Sequence, residues 1–162
     1  MKLVLNESDQ ELAKKLGEAR RLENRKNGIK DQKRTTKLTS EEIDLYGIAT
    51  EIAVGRYLGL QPDLSIHSRH GGHDLISENG VKIDVKYTSS PKGDLLLMPS
   101  KTLKDADIYI VCTGKFPVFE VAGWANAKDV IKKENITDLG HGPAYKYPRY
   151  KLSKLETLRS EL

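Results

Sequence analysis

The chain has 162 residues, enough for one domain with a real hydrophobic core and no need of disulfides. Its 38% hydrophobic and 31% charged content is that of a globular protein. The only apolar run near the start, Leu3-Val4-Leu5, is far too short for a signal peptide, and no stretch approaches a membrane span. One cysteine, Cys112, excludes an internal disulfide, so a reducing, cytoplasmic setting is expected, with Cys112 a small buried hydrophobe. The net charge of +4 is uneven: residues 1–38 hold eleven Lys or Arg against six Asp or Glu, so all of the excess lies there. A polyanionic partner fits that asymmetry, as does a merely solvated helix face.

In chain order, Ser8 and Glu11 form a capping-box pattern, and Leu12, Ala13, Leu16, Ala19 and Leu22 follow at helical spacing until Asn27-Gly28. The outer side of that helix carries Lys14, Lys15, Arg20, Arg21, Arg25 and Lys26. A polar arm follows with Lys30, Lys33, Arg34 and Lys37, suited to tracking a phosphate backbone. Thr39 with Glu42 repeats the capping box and starts a second helix, Ser40 to Leu58, stopped by Gly59. In it Gly47, Glu51 and Gly55 fall on one ridge. Interior glycines cost a helix about 1 kcal/mol each, so this bare stripe predicts a close approach around Glu51.

Leu64-Ser65-Ile66 reads as a first strand. A hairpin follows, from Gly71 to Tyr87, and two registers compete in it. A two-residue Asn79-Gly80 turn puts Asp74 and Asp84 on opposite faces. A three-residue Glu78-Asn79-Gly80 loop, with Gly80 at positive φ, pairs Ser77 with Val81 and sets Asp74 opposite Asp84. Leu75, Val81, Ile83, Val85 and Tyr87 then share one face, and Asp74, Asp84 and Lys86 the other.

Thr88 to Asp94 is a polar loop containing Lys92, placed where a phosphate contact would help; Leu95 to Met98 is short and apolar. Ile108 to Cys112, apolar on both parities, predicts a central strand, and Val118 to Trp124 the next. Asn126 starts a short helix through Lys133, residues 135–143 read as loop, and Tyr145 to Lys151 as an amphipathic edge strand, although its interleaved aromatics and cations also suit nucleic acid. Ser153 with Glu156 predicts a last helix. The order, two helices, mostly strands, then a helix, gives an α/β (α+β) fold with a central mixed sheet flanked by helices.

Two opposed carboxylates repel unless a cation lies between them. Mg²⁺ takes one or two carboxylates, keeps waters and accepts phosphate oxygens, so Asp74 and Asp84 are candidate ligands, with the Val85 carbonyl beside them and Glu51 reaching the same ion directly or through water. Lys86 then orients or deprotonates an attacking water, or neutralises charge developing on phosphate. His67, His70 and His73 lack cysteine partners and are a poor zinc set.

Helical Glu51 within Gly47-Ile48-Ala49-Thr50-Glu51-Ile52-Ala53-Val54, then Gly72-His73-Asp74, then Asp84-Val85-Lys86, resemble the active-site signature of the PD-(D/E)XK nuclease superfamily, over Thr39 to about Trp124. His73 stands where the name-giving proline would be. The resemblance implies a restriction-endonuclease-like fold and a Mg²⁺-dependent deoxyribonuclease, with Mn²⁺ able to substitute, that leaves 5′-phosphates. Asp74 and Asp84 would be metal ligands, Glu51 an accessory ligand and Lys86 the catalytic lysine. DNA is then the expected partner, gripped by Lys14, Arg20, Arg21, Arg25, Lys30, Lys33, Arg34 and Lys92. A structure-selective nuclease (junction resolvase or exonuclease) and a non-catalytic nucleic-acid-binding protein are the alternatives, and a homodimer is left open.

Overall fold

A computed structural model describes residues 1–28, 38–66, 72–140 and 142–162. The chain is α+β. Its main sheet has five strands in the order β1-β6-β5-β3-β2: β1 (Lys2–Val4), β2 (Leu75–Ile76), β3 (Lys82–Tyr87), β5 (Ile108–Lys115) and β6 (Val118–Asn126). β3 runs parallel to β5, and the other pairs are antiparallel, so the sheet is mixed. A second sheet, in the order β4-β8-β7, is built from β4 (Leu95–Leu97), β7 (Ile136–Asp138) and β8 (Pro143–Tyr147).

β5 is buried on both faces because both parities of its sequence are apolar. Ile108, Ile110 and Cys112 pack with Ile83 and Val85 of β3, with Val54 of helix α2 (Ser40–Leu58), and with Leu155 and Leu158. Tyr109 and Val111 pack on the other side with Leu95, Leu97, Ala106, and Ala127 and Val130 of the short helix α3 (Ala127–Val130). The main sheet therefore lies between a helical layer and the second sheet. Burial pushes the Cys112 thiol up to about 12, leaving it a core hydrophobe with no thiolate to offer.

Helix α1 (Glu7–Lys26) is capped by Asn6, whose side chain accepts from the Asp9 amide; Ser8 lies inside the helix, so the expected Ser8–Glu11 capping box does not form. Buried Asp9 accepts a two-nitrogen contact from Arg56, at 3.1 and 2.9 Å, and ties the start of α1 to the end of α2. Gly17 lets the helices meet closely: a Cβ there would stand 3.7 Å from the Leu45 Cα. Leu22, expected inside, is exposed. α2 has the predicted Thr39–Glu42 capping box and ends at Gly59 in the left-handed conformation (φ 74°).

Four expectations are corrected. Leu64–Ile66 is not a strand; among the described residues it pairs with no strand, and the bridge to Leu75 is made earlier, at Pro62. Leu3 instead belongs to β1, which completes the sheet against β6. Ile136–Asp138, expected as loop, pairs with β8, which makes Pro143–Tyr147 a central strand of its sheet rather than an edge. Ser153 bridges to Trp124 through backbone hydrogen bonds, Lys154 rather than Ser153 stands at the N-cap, and the last element is a 3₁₀ helix, Leu155–Ser160. Among the described residues no helix is long and apolar enough to cross a membrane.

The glycine ridge on α2 separates into two cases. At Gly55 a Cβ would meet the Leu60 carbonyl oxygen at 3.0 Å and the Leu75 side chain at 3.1 Å, so the close approach is real. At Gly47 nothing lies within 4 Å. Gly47→Ala is therefore expected to stabilise the protein by about 0.5–1 kcal/mol through helix propensity. Gly55→Val should destabilise it by about 1–3 kcal/mol through overpacking. Urea denaturation of the two variants checks both signs.

Candidate active site

The β2/β3 hairpin has the register of the three-residue loop. Leu75 pairs with Ile83 and Ile76 with Lys82; the Ser77 amide donates to the Val81 carbonyl at 3.0 Å, and Gly80 has φ 81°. Only glycine adopts that φ at no steric cost, so the loop chemistry decides the register. One step further along, Asp74 stands opposite Asp84, and there the ladder gives way. The Asp74 amide donates to the Ile83 carbonyl at 2.8 Å, while Asp74 Oδ2 accepts the Val85 amide at 2.7 Å. The aspartate ends β2 by taking the next β3 amide onto its carboxylate.

Asp84 is 1% exposed. In the parallel register with β5, Asp84 lies beside Tyr109 and Lys86 beside Val111, so both stand on the second-sheet face of β3. Asp84 Oδ1 forms an ion pair with the Lys86 ammonium but accepts no well-aligned hydrogen bond among the described residues. Asp84 Oδ2 accepts from Lys101 Nζ at 3.0 Å.

Glu51 belongs to α2, on the opposite face of β3, and it is buried. It joins the other acids at Asp74: burial first, then the charges of Glu51 and Asp84, hold the Asp74 carboxyl well above the usual carboxylate range, against the pull of Lys86 and the Val85 amide. Arg20 Nη1 donates to Glu51 at 3.1 Å, and the same guanidinium donates to the Ser65 carbonyl at 3.0 Å and to the Asp63 carbonyl.

The hairpin brings together Asp74, Asp84 and Lys86, with the Val85 amide fastening Asp74, and Glu51 acts on Asp74 from α2. The predicted nucleic-acid contacts divide. Arg20 is corrected from a DNA contact to a clamp on Glu51, and Arg21 is drawn into an ion pair with Glu41. Lys14, which lies over the Phe116 ring, Arg25 and Lys92 are exposed. Lys30, Lys33 and Arg34 lie outside the described residues, as do His67 and His70. The inward turn of Arg20 had a signal: Ala13, Leu16, Gly17 and Arg20 follow one helical stripe. Lys101 had none, since its contact comes from tertiary packing across 17 residues.

Among the described residues, no three His, Cys, Asp or Glu side chains form a preassembled cage. The donor set nevertheless fits a hard dication, which needs only one or two carboxylates and keeps its own waters. Asp74 is crowded by two further carboxylates, a deficit that a cation relieves, and buried Asp84 already draws two ammonium groups onto its oxygens.

No family model matches the sequence, and no curated protein matches it.

Because the Asp74 carboxyl is held above its ordinary value of 3.8, the folded protein binds that proton more tightly than the unfolded chain. The stability tied to Asp74 is full below that ordinary value and lost as pH rises through the raised one. Asp74→Asn, which can still accept from the Val85 amide, should raise stability at neutral pH in chelator by ~1 kcal/mol, or about 2–4 °C for a chain of this size. The gain should vanish toward acid pH. Thermal melts across pH measure it.

Proposed function

We propose that this protein is a metal-dependent deoxyribonuclease of the PD-(D/E)XK kind, hydrolysing phosphodiesters to leave 5′-phosphates. The observation that carries the reading is the hairpin register, which sets Asp74 opposite Asp84 and leaves Lys86 in contact with Asp84. A surface hairpin has no use for a buried aspartate held between two lysines, Asp84, beside a second, Asp74, on which two other carboxylates act.

Asp74 and Asp84 are the residues that would hold Mg²⁺ or Mn²⁺, with the Val85 carbonyl and Glu51 as accessory ligands. The bound ion supplies Lewis-acid polarisation of the phosphoryl oxygen and a more acidic water. The chain's own groups do the rest. The Val85 amide fixes one oxygen of Asp74, so the carboxylate keeps its orientation through the reaction. Arg20 holds Glu51 against α1 and compensates its buried charge. Lys86, whose side chain is 35% exposed, is anchored on Asp84 yet reaches solvent. From there its ammonium orients the attacking water and offsets the charge that grows on the phosphate in the transition state. The exposed cations Lys14, Arg25 and Lys92 are the described groups available to the substrate backbone.

Incubation with supercoiled, linear, single-stranded and branched DNA, and with RNA, in Mg²⁺ or Mn²⁺ tests the assignment and separates endonucleolytic from structure-selective action. Cleavage of DNA to ligatable 5′-phosphate ends is expected, falling by about 10²–10⁴-fold in Lys86→Ala and disappearing in Asp84→Ala. Cleavage undiminished in Lys86→Ala overturns the mechanism.

A further inference from the structure

The proposed cation site already contains a cation supplied by the chain. Asp84 offers two oxygens, and both are taken by ammonium groups: Oδ1 by Lys86 and Oδ2 by Lys101 at 3.0 Å. The Lys101 side chain is only 18% exposed, and its position is built rather than incidental. The turn that carries it leaves the second sheet at Leu97 and re-enters the core at Ala106, both buried. Between them the Lys101 amide donates to the Met98 carbonyl at 3.0 Å. The amide and hydroxyl of Thr102 donate to Asp105 Oδ2 at 2.7 and 2.9 Å. Those two hydrogen bonds hold the Asp105 carboxyl below its ordinary value and lock the turn.

An ammonium salt-bridged to a carboxylate oxygen and a dication bound closely to the same oxygen repel each other. A dication carries twice the charge of an ammonium and outcompetes it at contact. Lys86 shares β3 with its partner, two residues away, whereas Lys101 reaches in from a separate turn whose backbone is fixed without the ion pair. Its side chain can leave while the fold stays intact. Before a metal enters, Arg20 is paired with Glu51, and Lys86 and Lys101 with Asp84. Entry of a dication leaves an excess of positive charge, which is what a phosphodiester anion requires.

We propose that Lys101 is a resident placeholder at the metal site: its ammonium holds Asp84 Oδ2 until a divalent cation takes that oxygen, and it is then released toward the substrate phosphate. This inference rests on the reading of Asp74 and Asp84 as metal ligands. Lys101 is thereby a positioning and substrate-contacting group that opposes metal binding in the free protein and aids DNA binding in the loaded one.

Calorimetric titration with Mn²⁺, without DNA, of the wild type, Lys101→Met, Lys101→Gln, Lys101→Arg and Asp84→Asn tests it, with circular dichroism to verify folding. The two neutral variants should bind Mn²⁺ about 3–10-fold more tightly than the wild type, and Lys101→Arg should stay near it. In DNA cleavage at saturating Mn²⁺, the neutral variants should show a raised KM. A prop that merely orients Asp84 would give the opposite sign, weaker Mn²⁺ binding on removal. Unchanged or weaker binding in both neutral variants, with binding abolished in Asp84→Asn, overturns the placeholder and leaves the metal site standing. Absence of Mn²⁺ binding in the wild type and in both neutral variants overturns the metal site and the placeholder with it.

Discussion

One backbone constraint governs the site: Gly80 at φ 81° closes a three-residue loop, and that loop sets the register of β2 on β3. A shift of one residue would turn β2 over relative to β3, sending Leu75 out of the core it shares with Ile83 and Val85. Core and chemistry are therefore bound to the same register. Burial of Leu75, Ile83 and Val85 stabilises the arrangement that also sets Asp74 against Asp84, so the electrostatic cost of the paired acids is offset by hydrophobic burial beside them.

The acids are then kept at that cost by three separate cations. Arg20 comes from α1, Lys86 from β3 and Lys101 from the turn after β4, so the site gathers charges from both faces of the main sheet. Asp74 is the member least compensated: its carboxylate accepts from the uncharged Val85 amide, and two carboxylates act on it. A group whose ionisation the fold opposes is expected where function rather than stability sets the residue.

Much of the scaffold was legible in the sequence. The Thr39 capping box, the Gly59 stop and the apolar parity of Ile108–Cys112 are local signals, and each fell where its chemistry placed it. What escaped was tertiary. Leu3 could be assigned to a strand only by knowing that β6 lies free beside it, and Ser153 is drawn into a backbone bridge with Trp124, one residue before the N-cap position at Lys154. At the site, the hairpin acids were legible because turn chemistry and period two act over a dozen residues. Lys101 was not, because nothing near it in sequence marks a contact with Asp84. Arg20 was misassigned for a different reason: charge alone suggested the solvent face, whereas its stripe with Ala13, Leu16 and Gly17 pointed inward.

The central claim is that Asp74 and Asp84 hold one divalent cation between them. Anomalous diffraction at the manganese edge from crystals soaked in Mn²⁺ tests it directly. The account predicts an anomalous peak bonded to a carboxylate oxygen of each aspartate. A soaked crystal with no peak at these two residues, or with manganese bound only elsewhere, would contradict it.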